Sequence, residues 1–399
     1  MTERTRVSHL LRRLTFGPTA GEVDAAVKVG FDATLRTLIR PPGPVPEPEL
    51  GAEPDPKDRQ ARQKQAAAAL RWWLGQLAAG GAAEKLTFFW HGHWATSVQK
   101  VRSGRLMLGQ LATFRKYGFG DTSPLVRAML RDPALILWLD GQKNTRRAPN
   151  ENLARELMEL FTLGIGAYTE ADVKAGAKVL TGWRVDRKTG KSVFVDKKGA
   201  DGPVTLLGRT GTFDVDDYAG LLVDHPAHLP FLAHRLWIRY ASATAPSEAA
   251  VARITAAGRN ASALLTALCG DPEFEGTNGT LVKQPVEWLI GATRQLGLPV
   301  PQQALADLRG LGQVPMRPPS VGGWPVGVAW LTTSATVARL RAAQRLAAAA
   351  KTEVKDPEAL ANLLVVDGWS DRTLAVLRGV KDPRKLLAIG LASPEYTVH

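Results

Sequence analysis

The chain has 399 residues, 45% of them hydrophobic and 22% charged, and carries a net charge of +13 at pH 7. That length can bury a large core and would permit two or three domains, and the composition is ordinary for a globular protein. No apolar run is long enough to span a bilayer, and a single cysteine, Cys269, excludes an intramolecular disulfide and a cysteine-based zinc site. Its neighbours Ala267 and Leu268 read as those of a buried thiol. The basic residues are scattered and accompany no nucleic-acid motif, which argues against nucleic acid and leaves an anionic substrate or acidic polymer as the partner the charge would suit. The basic start, Met1 to His9, is not followed by an apolar stretch, so the chain as written is expected in the cytoplasm unless a partner exports it.

In chain order, Val7, Leu10, Leu11 and Leu14 give Arg6 to Phe16 a helical face, stopped by Gly17 and Pro18. Thr19 and Glu22 form a capping box for a second helix reaching about Ile39. Prolines then make residues 41–56 an extended surface connection. Helical patterns follow at Lys57–Ala79, Ala83–Thr96, Gly104–Tyr117, Pro124–Arg131, Asn150–Leu163 and Thr169–Gly182. The period changes at Trp183, where a short β-hairpin turns through Asp186–Gly190; residues 183–213 are a hairpin and loop excursion. Helices resume at Asp216, broken by Pro226, Pro230, Pro285 and the Gly322–Gly323 pair. With no internal repeat and no clean linker, the fold is expected to be mainly α, a single large multi-helix domain over 1–399 with a small β-hairpin excursion.

The densest polar group lies on the Asn150–Leu163 helix. Leu153, Leu157, Leu160 and Phe161 define its apolar face, while Glu151, Arg155 and Glu159 form a ladder on another side, with Asn152 and Glu156 beside it. Adjacent carboxylates at this spacing suit a divalent metal or general acid–base work. The competing reading is a solvated face of Glu–Arg pairs, each worth a few tenths of a kcal/mol. The second group is Phe88 to Trp94, containing His91-Gly92-His93. Residues two apart on a helix point about 200° from each other, so the two histidines converge only if Gly92 distorts the helix. One of them is expected in the core, bonded to a buried carboxylate. His225 and His228 flank a proline, while His9 and His234 read as packed residues. Most of the eleven tryptophans read as core; Trp324 and Trp330, in a Gly/Pro-rich loop, are better binding candidates.

Several ordered segments together resemble the bacterial family called domain of unknown function 1800. They are His9–Gly17, Phe89–Trp94, Asp132–Leu135, Asn150–Gly166 with Tyr168–Glu170, Leu180–Trp183, Lys283–Glu287, Pro318–Trp330 and Ser393–Tyr396. The resemblance covers nearly the whole chain. It implies that His91, Asn150, Glu151, Asn152, Arg155, Glu156, Glu159, Trp183 and Trp324 are more than chance surface residues. It also implies a sulfatase-like partner, the domain of unknown function 1501 family, found beside many members. The chain departs from the pattern at Ala200-Asp201, where many members carry His-Asp.

Two functions follow as expectations. In the first, an enzyme has its centre where the charged helix meets His91 or His93. There Glu156 and Glu159 bind a metal or shuttle protons, Arg155 orients an anionic group, Asn150 and Asn152 bind substrate, and Trp183 and Trp324 wall the pocket. In the second, a non-catalytic partner or chaperone of the sulfatase-like protein, or a binder of an acidic polymer, uses the charged helix as a buried ion-pair network.

Overall fold

The computed structural model describes residues 1–199 and 202–399, so the departure at Ala200-Asp201 lies outside the described residues. Within them the chain is mainly α, with two two-stranded antiparallel hairpins as its only named strands. No helix among the described residues is long and apolar enough to cross a membrane.

The first helix, Glu3–Leu14, starts where Thr2 accepts the Thr5 N–H, and it buries Val7, Leu10, Leu11 and Leu14. The expected capping box is present at Thr19, but the helix it opens ends at Val29. Gly30, at φ +85°, divides it from a second helix, Phe31–Leu38, so the single helix read to Ile39 is two. Residues 40–58 hold no helix or strand. The helices Arg59–Ala79, Gly81–His93, Gly104–Tyr117 and Thr122–Leu130 then follow close to their expected bounds.

The hairpin pairs Trp183–Asp186 with Lys191–Phe194, its turn held by Asp186 Oδ1 accepting the Lys188 N–H. A second, Val204–Leu206 with Arg209–Gly211, occupies part of the stretch expected as loop or edge strand. Of the expected breaks, Pro230 lies inside the helix His228–Tyr240, within its first turn, where no intrahelical donor is lost. Pro285 likewise opens the helix Pro285–Gln295 rather than interrupting one.

One apolar cluster runs from Val7 to Tyr396 and takes in most of the helices. The N-terminal helix and the helix Pro285–Gln295 are brought together where Gly17 meets Gly291; a Cβ on Gly17 would lie 2.5 Å from Gly291 Cα. Chain closure comes from an antiparallel bridge between Val282 and Val398. Alternation along that bridge puts Leu281, Lys283, Thr397 and His399 on one side, bonded through Lys283 N–H to Thr397 O at 2.9 Å.

Candidate functional site

The charged helix is not uniform. Asn152–Glu156 is α-helical, and Leu157–Thr162 continues it as a π-helix, a form that often appears at functional positions. Thr162 Oγ1 donates to Leu157 O at 2.5 Å, and the Leu163 and Gly164 N–H groups both donate to Met158 O. Leu153, Leu157 and Phe161 are buried and Leu160 is partly so, as the apolar face requires.

Its polar side chains are occupied locally. Arg155 holds Glu170 through two bonds of 2.5 and 2.8 Å and Glu151 more loosely at 3.4 Å. Arg155 and Glu151 are each about one third exposed and Glu170 two thirds, so this is a surface network and not the buried one expected for a structural role. Glu159 accepts from Tyr168 Oη at 2.6 Å, and burial together with this bond raises the phenol to about 12. Glu156 is half-buried, and burial and its neighbour Glu159 raise its carboxyl pKa. Asn150 Oδ1 caps the Asn152 N–H, and Asn152 Nδ2 donates to Leu139 O, both at 3.1 Å.

His91 and His93 are both in the core, and neither bonds a carboxylate among the described residues. His91 Nε2 accepts the Met316 N–H at 2.9 Å, while His93 Nε2 donates to Phe161 O at 2.9 Å, inside the π-helical turn. Burial pushes His91 down to about 3; burial and the Arg235 guanidinium push His93 well below its usual value. The half-turn between them therefore sends the two rings to different segments. His228 is buried against Thr122 and Thr162, whereas His234, read as packed, is exposed.

Of the set His91, His93, Glu156 and Glu159, no hydrogen bond or ion pair joins a histidine to a glutamate. Among the described residues no group of three or more His, Cys, Asp or Glu side chains is placed to hold a metal ion. Trp183 lies in the hairpin against Phe194 and beneath the Arg131 guanidinium. Trp324, 4% exposed, stacks on Phe88 and leans on His91. The two tryptophans thus contact different parts of the chain.

A different polar centre is assembled from segments far apart in sequence. Lys85, from the helix Gly81–His93, pairs with Glu287 at 2.8 Å and also donates to Thr15 O at 2.9 Å. Glu287 Oε2 also accepts the Gln284 N–H, closing the cap of the helix Pro285–Gln295. From the first helix, Arg12 reaches Asp367 at 2.6 Å and Val365 O at 2.9 Å. Arg13, 1% exposed, donates through Nη2 to Thr277 O, while its Nε and Nη1 have no partner among the described residues. Lys283, 6% exposed, lies with Nζ 3.6 Å from the centre of the Tyr396 ring and has no ion pair among the described residues. Both ring nitrogens of the buried His399 lack a hydrogen bond there, the nearer standing 4.0 Å from Glu287 Oε2.

Four buried cationic side chains, Arg12, Arg13, Lys85 and Lys283, therefore face two acids, Glu287 and Asp367. Burial, joined by Arg12, holds Arg13 down to about 9; the same causes push Lys283 well below the ordinary lysine value. Burial and the surrounding cations push His399 down as well. A groove of about 990 Å³ opens onto this centre. Arg12, Lys283 and His399 line it together with Asp367 and Glu395, and Leu340, Val376 and Ile389 are among its apolar walls.

The sequence does not mark this centre as a site. His9–Gly17 and Lys283–Glu287 carried the resemblance, but no local pattern joins Arg13 to Lys283 or either to Lys85. The one available signal was a pair of basic residues, Arg12 and Arg13, among the apolar Leu10, Leu11 and Leu14 at the end of a helix.

The family model described as protein of unknown function (DUF1800) matches residues 9–398. No curated protein and no solved structure matches the chain.

Proposed function

The chain belongs to this family of unknown function, and we propose that it binds an anionic, partly apolar molecule in the groove, with the charged end of the ligand at the Arg12–Lys283 side. The observation that carries this reading is that the buried basic side chains Arg12 and Lys283 line one end of a groove walled by Leu340, Val376 and Ile389. A buried basic group with no ion pair is costly to charge, and Lys283 has none among the described residues, so a bound anion would complement it. The volume suits a small molecule with an apolar body. Catalysis centred on the Asn150–Leu163 helix draws less support, because Arg155 is held by Glu170 and the histidines bond backbone groups.

The test compares decanoate with decanol by calorimetric titration of the full chain, with heparin as an acidic polymer. Binding of decanoate and not of decanol, weakened by Val376→Asp in the groove wall, is the expected result. Equal binding of decanol removes the anionic part of the reading. Binding of heparin alone replaces the groove with the basic surface.

A further inference from the structure

Lys283 is placed unlike the other cations of the centre. Arg12 holds Asp367, Lys85 holds Glu287, and Arg13 donates to Thr277 O. Lys283 has only the face of Tyr396 beneath it, and it lines the groove. Its backbone is fixed on both sides, by the bond to Thr397 O and by the start of the helix at Pro285. We propose that Lys283 is a nucleophilic lysine that forms a Schiff base with the carbonyl carbon of an aldehyde or ketone seated in the groove. This deepens the proposed function, since it rests on the groove being a ligand site, and makes the ligand an oxo compound with an anionic end.

The chemistry requires a neutral amine, because only the free lone pair attacks. Every charged group facing Lys283 bears on that state. Arg12 and Arg13 from the first helix and Lys85 from the helix Gly81–His93 oppose a proton on Nζ, and burial opposes it most; Glu287 and the face of Tyr396 favour it, and Asp367 and Glu395 line the same groove. Glu287 is already committed to Lys85, at 2.8 Å. The same cations that disfavour the ammonium would attract the carboxylate or phosphate of an oxo acid, so one arrangement serves binding and nucleophile together.

The step balances without an oxidant or reductant. The Nζ lone pair forms a bond to the carbonyl carbon, and the C=O π pair moves to oxygen, which takes a proton from water. Nitrogen loses its protons as the hydroxyl, protonated in turn, departs as water, leaving C=N. One amine and one carbonyl give one imine and one water.

The experiment treats the full chain with acetaldehyde and cyanoborohydride at neutral pH and reads ethylation of each lysine by peptide mass spectrometry. Exposed Lys57, Lys64 and Lys351 serve as internal references. Lys283 is expected to label at least about tenfold faster than these, because a lysine of ordinary pKa is almost wholly protonated at neutral pH. Its rate should also fall at lower pH than theirs, and decanoate should protect it. Labelling no faster than the references overturns the proposal, and this readout depends on no variant that must fold. Decanoate titration of the same sample separates the two readings: binding without fast labelling overturns the nucleophile alone, and neither result overturns both.

Discussion

Lys85 and Glu287 stand 2.8 Å apart with side chains only 4% and 3% exposed, an ion pair joining the helix Gly81–His93 to the helix Pro285–Gln295 inside the core. Removing one member leaves the other charged and without water. Lys85→Ala is therefore expected to cost about 3–5 kcal/mol in urea unfolding. The double change to methionine at both positions should recover most of that loss, because it removes both desolvation penalties together. A single change as mild as the double one would mean that the pair is reached by solvent.

Buried neutral histidines should make the fold sensitive to acid. His9 and His91 are both held down to about 3 by burial, and burial also lowers His93, His228 and His399. Between about pH 6.5 and 3 the unfolded chain binds protons at these rings that the folded chain does not. Stability therefore falls as pH drops through that window, by up to about 1.4 kcal/mol per unit for each histidine. Asp132 acts the other way. Burial raises it to about 7, so the folded chain holds its proton above the unfolded value, and that contribution is lost as pH rises toward 7. Glu156, raised by burial and its neighbour Glu159, acts as Asp132 does; five rings against two carboxyls leaves a net loss on acidification, which urea unfolding at pH 7.5, 6 and 5 would show as a falling midpoint.

Arg155→Ala should be mild. Its partner Glu170 is two thirds exposed, and Arg155 itself one third, so solvent screens the pair and the loss should be far smaller than that of Lys85→Ala. A loss of about 3 kcal/mol or more in the same unfolding measurement would restore the charged helix as a structural network.

The two centres show what local sequence can carry. The capping boxes at Thr19 and Thr169 and the turn at Asp186–Gly190 are encoded within four or five residues, and the structure has all three. The helix division at Gly30 and the π-turn at Leu157–Thr162 depend on what packs around them, and an amphipathic pattern looks the same with or without them. His91 and His93 do point apart, as their spacing on a helix requires, but they meet the backbone of Met316 and Phe161 where a carboxylate was expected. Which polar group faces a buried ring is a tertiary fact. The basic centre is wholly of that kind: Arg13, Lys85 and Lys283 come from three segments far apart in the chain, the first and last of which approach where Gly17 meets Gly291.

That contact is itself a target. Gly17 has φ +97°, and an added Cβ would sit 2.5 Å from Gly291 Cα. Neither strain is relieved by rotating a side chain, since the obstacle is backbone. Gly17→Ala should cost about 1–3 kcal/mol and move the first helix, so that decanoate binding falls with stability. Gly21→Ala, with nothing near its added Cβ, is the matched control and should be neutral or slightly stabilising.

His93 separates a structural role from a metal role at the charged helix. Its Nε2 donates to Phe161 O in the π-turn, and its Nδ1 faces Arg235 Nε at 3.5 Å, so the ring bridges the helix Gly81–His93, the π-turn and the helix His228–Tyr240. His93→Ala removes that bridge, opens a cavity beside Phe89 and Trp94, and leaves a buried carbonyl unpaired. The expected cost is about 2–4 kcal/mol. Chelator treatment of the wild-type chain should leave the unfolding midpoint unchanged, because the bond that His93 supplies is to the backbone. If chelation instead lowers the midpoint as far as His93→Ala does, and Glu159→Ala reproduces the loss, then His93 is held by a metal shared with that glutamate.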